Sequence, residues 1–436
     1  MHRFFCAALV AASTLGAAGP AWSQTSSQAL TAEDAVREAL AGNRDLLTAS
    51  ASIDRARGAL QAAGRLENPE FELGLSDDFA FAADGERSTS LGFAQRFPVT
   101  ARLRHEKEVA RSELERAEAE VRDFVRDLVA EVERAFYRVR AHDERLAVAR
   151  ELIASVGAVE QATARRLRSA EASAAELGLL RIERLRLEQE SAQIERDRVE
   201  ANARLVRLLG RSESVRLRPE GALDPGPSAL PVEAATALPV ASSRPDLEAA
   251  RHGIERAQAE RALARSRVWE DWTLGFGYQR ERGVFEPTPI GVKRDSFLTL
   301  DLTIPLPLWN RREGEIAVAE AELRRSKRAR EALVLRIQEE IRAAAARVRS
   351  LRASVDAYRS RIIPEATRAR DLFERGYRQG LVGVAELLQA QRQYSEGRRR
   401  NIELLGELRQ ATIDLEVALG SNPHLNDPRG QGGPTS

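Results

Sequence analysis

Side chains able to carry metal or nucleophilic chemistry are scarce in this sequence of 436 residues. Its one cysteine, Cys6, and its one methionine, Met1, lie at the very start, so the rest of the chain offers no soft sulfur ligand. A His-Glu-x-x-His zinc motif, a phosphate-binding glycine loop and a nucleophile elbow are all missing. The histidines after His2 stand apart from one another: His105, His142, His252 and His424. We therefore expect no catalytic residue, no resident metal and no cofactor.

The sequence begins like an export signal. A short basic stretch precedes the apolar run Phe4–Gly19, and small residues, Ala21 and Ser23, occupy the positions that signal peptidase reads. Cleavage before Gln24 would remove both sulfur-containing residues, and Cys6 lies too far from that point to accept a lipid anchor. No later stretch reaches the run of about 18 apolar residues that a transmembrane helix needs. An exported chain of this kind is soluble in the periplasm, secreted, or inserted into a membrane as a β-barrel.

Charge and composition narrow the classes of partner. The chain has 67 basic and 66 acidic residues, and a formal net charge of +1 argues against a nucleic-acid partner. Charged residues make up 31% of the chain and aromatic residues only 5%, and long stretches consist of Ala, Glu, Arg and Leu. This composition is typical of long helices.

Short motifs recur in the same order along the chain, at an offset of about 200 to 210 residues. The recurrences are Asp45-Leu46 and Asp246-Leu247, Phe71–Leu75 and Trp272–Phe276, Phe97-Pro98 and Ile304-Pro305, Ala175–Leu177 and Ala385–Leu387, and Leu209-Gly210 and Leu419-Gly420. Each copy is predicted to contain a helix, two strands, a very long helix, a turn and a returning helix. The predicted units are a signal peptide (1–23), a first repeat (24–217), a proline-rich linker (218–245), a second repeat (246–420) and a flexible tail (421–436).

Four segments alternate apolar and polar residues, as strands with one apolar face do. They lie at about 69–77, 89–97, 270–279 and 296–305, each near the length of a tilted strand that crosses a bilayer. The clearest apolar face is predicted to meet the membrane through Leu298, Leu300, Leu302 and Ile304. The alternative is a half-buried strand in a soluble sheet. Since four strands cannot close a membrane barrel, a membrane-inserted chain must oligomerise, although the strand count does not fix the number of copies.

The helices carry a heptad pattern, which predicts left-handed coiled-coil packing. Its apolar positions are Val125, Val132, Val139, Leu146 and Ile153, and, shifted by about 209 residues, Val334, Ile341, Val348, Val355 and Ile362. The two helical hairpins are predicted at about 101–210 and 311–420, and the first long helix, as a run of about 67 residues, would span roughly 100 Å. Pro364 should kink or break the second long helix.

Residues 31–420 resemble the TolC outer-membrane efflux family. The stretch Ile304–Gly314 resembles the strand-to-helix junction of its heavy-metal (CzcC-like) branch, and Phe373–Gly380 resembles the family's helix turn. Asn43-Arg44 departs from the family, which more often has Asn-Pro at that point. The resemblance implies a mainly α fold with a small transmembrane β part, built from a duplicated unit of strands and a long helical hairpin. Three chains would form a 12-stranded β-barrel continued by a 12-helix α-barrel.

The resemblance also implies the setting of the protein. It describes a homotrimer in the lipid of the outer membrane that extends into the periplasm and works with a periplasmic adaptor (membrane fusion protein) and an inner-membrane RND pump. The implied function is a passive exit duct, for divalent heavy-metal cations if the branch is right. A multidrug or type I secretion channel is the first alternative, and a soluble periplasmic coiled-coil adaptor is the second.

Two further sites follow from the family pattern. The adaptor is expected to dock at the hairpin tips, which are Ser169, Ala170 and Glu171 in one copy and Gln379, Gly380, Leu381, Val382 and Gly383 in the other. Glu386 and its repeat counterpart Glu176 are candidates for a ring of carboxylates at the periplasmic entrance, which would concentrate cations. The alternative is that both are solvated charges on a helix face.

Trp269, Trp272 and Trp309 are predicted to form interfacial girdles or, equally, to pack in a core.

Overall fold

The computed structural model describes residues 28–77, 86–212, 215–225, 244–285 and 291–420, so the predicted leader, the tail and most of the linker lie outside it. The helices of this part are α1 (Ala32–Gly42), α2 (Arg44–Ala62), α3 (Arg102–Arg168), α4 (Ala174–Leu208), α5 (Pro245–Ser266), α6 (Glu313–Ala357), α7 (Ile363–Arg378) and α8 (Val384–Leu419). The strands are β1 (Gln28–Leu30), β2 (Glu70–Asp77), β3 (Arg87–Phe97), β4 (Leu217–Pro219), β5 (Trp272–Phe285) and β6 (Gly291–Thr303). The predicted class, mainly helical with a small sheet, is confirmed.

Four strands form one antiparallel sheet in the order β2-β3-β5-β6. The central pair joins the two copies, with a register that runs from Arg87 opposite Arg282 to Phe97 opposite Trp272. Within the described residues, β2 and β6 each pair along one side only, so the sheet has two open edges. β5 and β6 continue past the predicted ends at 279 and 296, because the backbone pairing persists where charged residues replace the apolar ones.

The register sorts the side chains of the sheet onto two faces. The apolar face consists of three rows of residues that lie opposite one another on neighbouring strands. The rows are Phe71, Phe93, Phe276 and Leu300; Leu73, Leu91, Tyr278 and Leu298; and Leu274 and Leu302. The polar face carries small residues, and a Cβ at Gly277 would lie only 2.5 Å from Thr299 Oγ1. Glycine therefore lets the neighbouring strands approach on that face.

Ion pairs fix the sheet to the helices at the end of the sheet where α3 and α6 begin. Arg102 lies 2.5 Å from Asp271 and 2.8 Å from Glu106. Arg312 lies 3.1 Å from Glu270. The Arg102–Asp271 pair is largely buried and joins the two copies at the junction, whereas the Arg312–Glu270 pair is more exposed and lies within the second copy.

α3 is the central helix, and it packs against α4, α5 and α8, while α6 packs against α5 and α8. Its heptad residues Val132, Val139 and Leu146 are almost fully buried, as the periodicity predicts. In the second copy Ile341, Val348 and Val355 are buried in the same way and Val334 is half-buried, whereas Ile362 is exposed. None of the helices in the described ranges is both long and apolar enough to cross a membrane.

Helix ends meet head to tail in both copies. Asn43 caps α2 by accepting from the N–H of Leu46 at 2.9 Å, and its Nδ2 donates to the carbonyl of Leu208, the last residue of α4, at 2.9 Å. At the matching point of the second copy, Arg244 precedes α5 and donates from Nη1 to the carbonyl of Ala418, near the end of α8, at 2.6 Å. Each buried side chain thus satisfies a carbonyl that the helix leaves unpaired. The end of α4 thus meets the start of α2, and the end of α8 meets the start of α5.

Pro364 lies where the second long α-helix is interrupted: α6 ends at Ala357 and α7 begins at Ile363, so the α-helical hydrogen bonding changes where a kink or break was predicted. A π-helical turn, Tyr358–Ile362, joins α6 to α7, and the N–H of Ile363 donates to the carbonyl of Tyr358. This turn contains one residue more than the α-helix around it. It rotates the following residues, so Ile362 is 43% exposed although the heptad count places it in the apolar seam. The repeat offset accordingly changes from about 209 before the turn to about 210 after it.

The start of the linker packs beside the helices. β4 pairs in parallel with β1, and Leu223 is buried. Arg140 donates to the carbonyl of Gly221 at 2.9 Å, and Arg409 donates to that of Asp224 at 3.0 Å. The strands have three residues each, which is too short for an alternation to show in the sequence.

Candidate functional site

The apolar face of the sheet is uncovered in the protomer. Of the four residues predicted to face a membrane, Leu298, Leu300 and Leu302 lie on this face and are 71, 74 and 57% exposed. Ile304 lies one residue beyond β6 and is 36% exposed. Contiguous apolar surface of this extent marks a site of contact with protein or membrane rather than with water.

Three tryptophans lie toward the helix end of the sheet. Trp272 begins β5, Trp269 precedes it, and Trp309 follows β6 on the way to α6. All three are exposed in the protomer. Their indole rings are therefore available to an interface, which is where tryptophan is enriched in membrane proteins.

The tips of the two hairpins have the same backbone geometry. After α3, Ala170 takes a left-handed conformation with φ 58°, and the N–H of Glu171 donates to the carbonyl of Arg166 at 2.8 Å. After α7, Gly380 takes φ 72°, and the N–H of Leu381 donates to the carbonyl of Gly376 at 2.9 Å. Both are Schellman turns, in which glycine is favoured because a Cβ is strained at positive φ. The first tip thus has alanine at a position that suits glycine.

The predicted docking residues at these tips are accessible. All three of the first tip are exposed, and so are Gln379, Gly380, Leu381 and Gly383 of the second. Leu381 is 75% exposed, so most of its apolar side chain faces solvent in the protomer. Val382 is half-buried because its methyl groups pack on Gly376. The second tip therefore exposes an apolar side chain at its turn.

Glu176 and Glu386 each lie in the first turn of a returning helix. Ser173 caps α4 by accepting from the N–H of Glu176 at 3.1 Å. Gly383 cannot cap α8 with a side chain, and Glu386 folds back over it, with Oε2 2.7 Å from where a Cβ on the glycine would be. A carboxylate at a helix start is stabilised by the helix dipole. The helix starts account for the positions of both carboxylates, and a role in a pore is a proposal taken up below.

Two contacts join the hairpins of the two copies near the tips. The Tyr377 hydroxyl lies 2.8 Å from Thr163 Oγ1, and the Arg166 guanidinium lies 5.5 Å from the Tyr377 ring centre. Farther from the tips, Arg392 of α8 donates two hydrogen bonds, at 2.6 and 3.1 Å, to the buried Glu183 of α4. No local sequence pattern marks these pairs, because the partners are separated by some two hundred residues.

One cluster in the described residues has metal-ligand chemistry, which the sequence analysis did not expect. His252 Nδ1 lies 2.8 Å from Glu255 and 3.2 Å from Glu115, and the three ligand atoms lie within 4.8 Å of one another. Arg251 lies 3.2 Å from His252 Nε2. Because a guanidinium only donates, Nε2 accepts in this contact, and the neutral imidazole then carries its proton on Nδ1, which donates to Glu255. The cluster thus places Glu115 of α3 against His252 of α5, and the spacing His-x-x-Glu was its one signal in the sequence.

A partly buried charge cluster lies where α5 begins. Asp123 of α3 lies 3.0 Å from Arg126, which lies 3.7 Å from Asp246, and Arg244 lies 2.7 Å from Asp246. Burial raises the pKa of Asp123 to about 6, and Asp127 and Asp246 add to the rise against the opposing effect of Arg126. This carboxyl group therefore changes its protonation state near pH 6 rather than near pH 4.

Comparisons with known proteins agree with this architecture. The family model for the outer membrane efflux protein matches residues 35–211 and 240–421. The cobalt-zinc-cadmium resistance protein CzcC of Cupriavidus metallidurans is 25% identical over an alignment of 414 residues, and the match covers 92% of this chain and 92% of that protein.

Solved channel structures share the fold. CusC superimposes with a TM-score of 0.75 at 20% identity, covering 90% of this chain and 92% of that one. The CmeC outer membrane channel of Campylobacter jejuni superimposes with a TM-score of 0.73 at 13% identity, covering 89 and 85%. The resemblance noted in the sequence is confirmed, since the family model spans most of the chain: the protein belongs to the outer membrane efflux protein family.

Proposed function

We propose that this chain is the outer-membrane channel of a tripartite efflux system, a passive duct through which divalent heavy-metal cations leave the cell. The observation that carries the proposal is an uncovered apolar sheet face at one end of very long helical hairpins. α3 alone has 67 residues. At 1.5 Å per residue it is about 100 Å long, a length suited to crossing a periplasm rather than to filling a globular core.

The open edges of the sheet support an oligomer. A sheet with unpaired edges is not tolerated in lipid, because each free N–H and C=O would lack a partner. β2 of one copy pairing with β6 of the next removes both edges, and three copies give about twelve strands, within the range of closed barrels. The same three copies bring twelve long helical segments into a tube, so the proposed assembly is a homotrimer.

The tips are proposed as the contact with a periplasmic adaptor. Both tips present exposed turns of equal geometry, and Leu381 supplies an apolar anchor. The helical hairpins contain no nucleotide-binding motif, so the energy for transport would come from an inner-membrane pump of the RND type on the other side of the adaptor.

The cargo assignment rests on the relative. The protein CzcC is named for resistance to cobalt, zinc and cadmium. Glu386 and Glu176 are proposed to line the periplasmic entrance, where three copies of each would attract cations and repel anions.

The test of this proposal is metal tolerance in a strain deleted for the gene, measured against zinc, cobalt, cadmium, nickel and copper and against a panel of drugs. Selective metal sensitivity that the wild-type gene restores supports the proposal. Sensitivity to drugs alone would move the channel to drug efflux and overturn the cargo assignment, while leaving the channel itself in place.

A further inference from the structure

Building on the proposed function, which places the apolar face in the outer membrane, we propose a lipid-binding site at the far end of that face. Arg280, Arg282 and Arg294 form the site, and its ligand is the phosphate group of an anionic lipid in the outer leaflet. The three arginines lie beyond the apolar rows, at the end of the sheet that is farthest from the helices.

The register places the three side chains side by side. Arg282 lies opposite Arg294 on β6 and opposite Arg87 on β3, while Arg280 lies two residues before Arg282 on the same face. They share this face with Tyr278, which belongs to the neighbouring apolar row. Opposed residues in a sheet have Cβ atoms about 5 Å apart, and the next residue on the same face lies about 7 Å along the strand. At this spacing, the three arginine side chains are long enough to reach one phosphate together.

These arginines differ from the others of the sheet in having no acidic partner among the described residues. Arg87 at the same end lies 2.8 Å from Asp77, and Lys293 on the polar face lies 2.8 Å from Asp295. For Arg280, Arg282 and Arg294, no carboxylate of the described residues lies within ion-pair distance, and all three are exposed. At the helix end of the sheet, in contrast, Arg102 and Arg312 are each paired. Within the strands of the sheet, the arginines without an acidic partner among the described residues thus lie at the outer rim of the apolar face.

Like charges opposite each other destabilise a pair of strands, so this arrangement favours an anion between them. Guanidinium groups bind phosphate oxygens through two parallel hydrogen bonds, which makes arginine well suited to a phosphate ligand. The rim directly adjoins side chains that would contact acyl chains, so a phosphate held there carries its acyl chains along the apolar rows. This geometry favours a lipid phosphate over free phosphate, which would gain nothing from the apolar rows.

The experiment measures how much bis-phosphorylated lipid A stays with the purified full-length oligomer after transfer into neutral phospholipid nanodiscs. The variant changes all three arginines to glutamine: R280Q, R282Q and R294Q. Each basic residue near an anionic membrane surface contributes about a fivefold change in partitioning, so the triple variant should retain lipid A about a hundredfold more weakly. The matched control is Lys293→Gln, which removes a paired cation from the other face and should leave retention unchanged. R294Q alone serves if the triple variant fails to assemble, with an expected loss of about fivefold.

Three further arms decide the outcome. Lipid A stripped of phosphate should be retained no better by the wild type than by the triple variant, and inorganic phosphate should not displace the intact lipid. Equal retention of intact lipid A by wild type and triple variant, or displacement by inorganic phosphate, would overturn the inference. Conductance of the same preparations in planar bilayers separates this failure from that of the proposed function. Channels that conduct without selective lipid retention refute only the lipid site, whereas a wild type that never conducts refutes the channel.

Discussion

Replacing Asp123 by asparagine should stabilise the protein at neutral pH. The carboxylate is 27% exposed and lies 3.0 Å from Arg126, but its Oδ1 makes no hydrogen bond in the described structure. Burial is the main cause that raises the pKa of this carboxyl group to about 6 from its usual value of 3.8. A pKa raised from 3.8 to about 6 corresponds to about 3 kcal/mol of destabilisation at neutral pH, an upper bound because water screens a carboxylate that is 27% exposed.

The sign of the pH dependence follows from proton uptake. Because the folded state holds the Asp123 proton more tightly than the unfolded state, this group destabilises the fold progressively as the pH rises from about 4 to about 6. Asparagine stays neutral, so the advantage of D123N over the wild type should be small below about pH 4 and reach its full size above about pH 6.

The assay is thermal unfolding of the detergent-solubilised protein at a series of pH values, with the difference in Tm between variant and wild type as the readout. Asp127→Asn is the matched control, since Asp127 also lies 3.0 Å from Arg126 but is 60% exposed. Its effect should stay below about 1 kcal/mol. A D123N advantage that does not change with pH, or a variant less stable than wild type at neutral pH, would refute the reasoning.

Three other predictions concern the tips and the entrance. Ala170→Gly should stabilise the first tip, and Gly380→Ala should destabilise the second, each by about 1 kcal/mol in thermal unfolding, because both positions have positive φ. A destabilising Ala170→Gly together with a stabilising Gly380→Ala would show that a Cβ is not strained at these turns. Glu386→Gln together with Glu176→Gln should lower the cation preference of reversal potentials in planar bilayers, and an unchanged preference would place the entrance elsewhere. Leu381→Asp should weaken crosslinking to the adaptor at least tenfold, if burial of a leucine contributes about 1.5 kcal/mol or more; full crosslinking would move the docking site away from the tip.

Local periodicity predicted most of the fold. The seven-residue spacing of Val132, Val139 and Leu146 indicated a long helix packed along one seam, and those residues are buried. The seam failed at Ile362 because a π-helical turn adds one residue just before Pro364. A proline in a helical pattern shows that the hydrogen bonding must change, but it does not show whether the helix bends, ends or takes up an extra residue.

The site was predicted less completely, for a physical reason. Alternation on a strand indicates which side chains share a face, so Leu298 and Leu300 were placed on the apolar face from their spacing alone. Where β5 and β6 become charged, the alternation of hydrophobicity ends while backbone pairing continues, and the opposed Arg282 and Arg294 were therefore missed. Contacts such as the one between Glu183 and Arg392 join distant parts of the chain, and only the folded structure brings them together.

The central claim is that this chain assembles into a channel through a lipid bilayer. The most direct test is the ionic current that the purified full-length protein produces in a planar bilayer. The account predicts discrete conductance steps from a detergent-dependent trimer. A protein that stays monomeric without detergent and adds no current to the bilayer would contradict it.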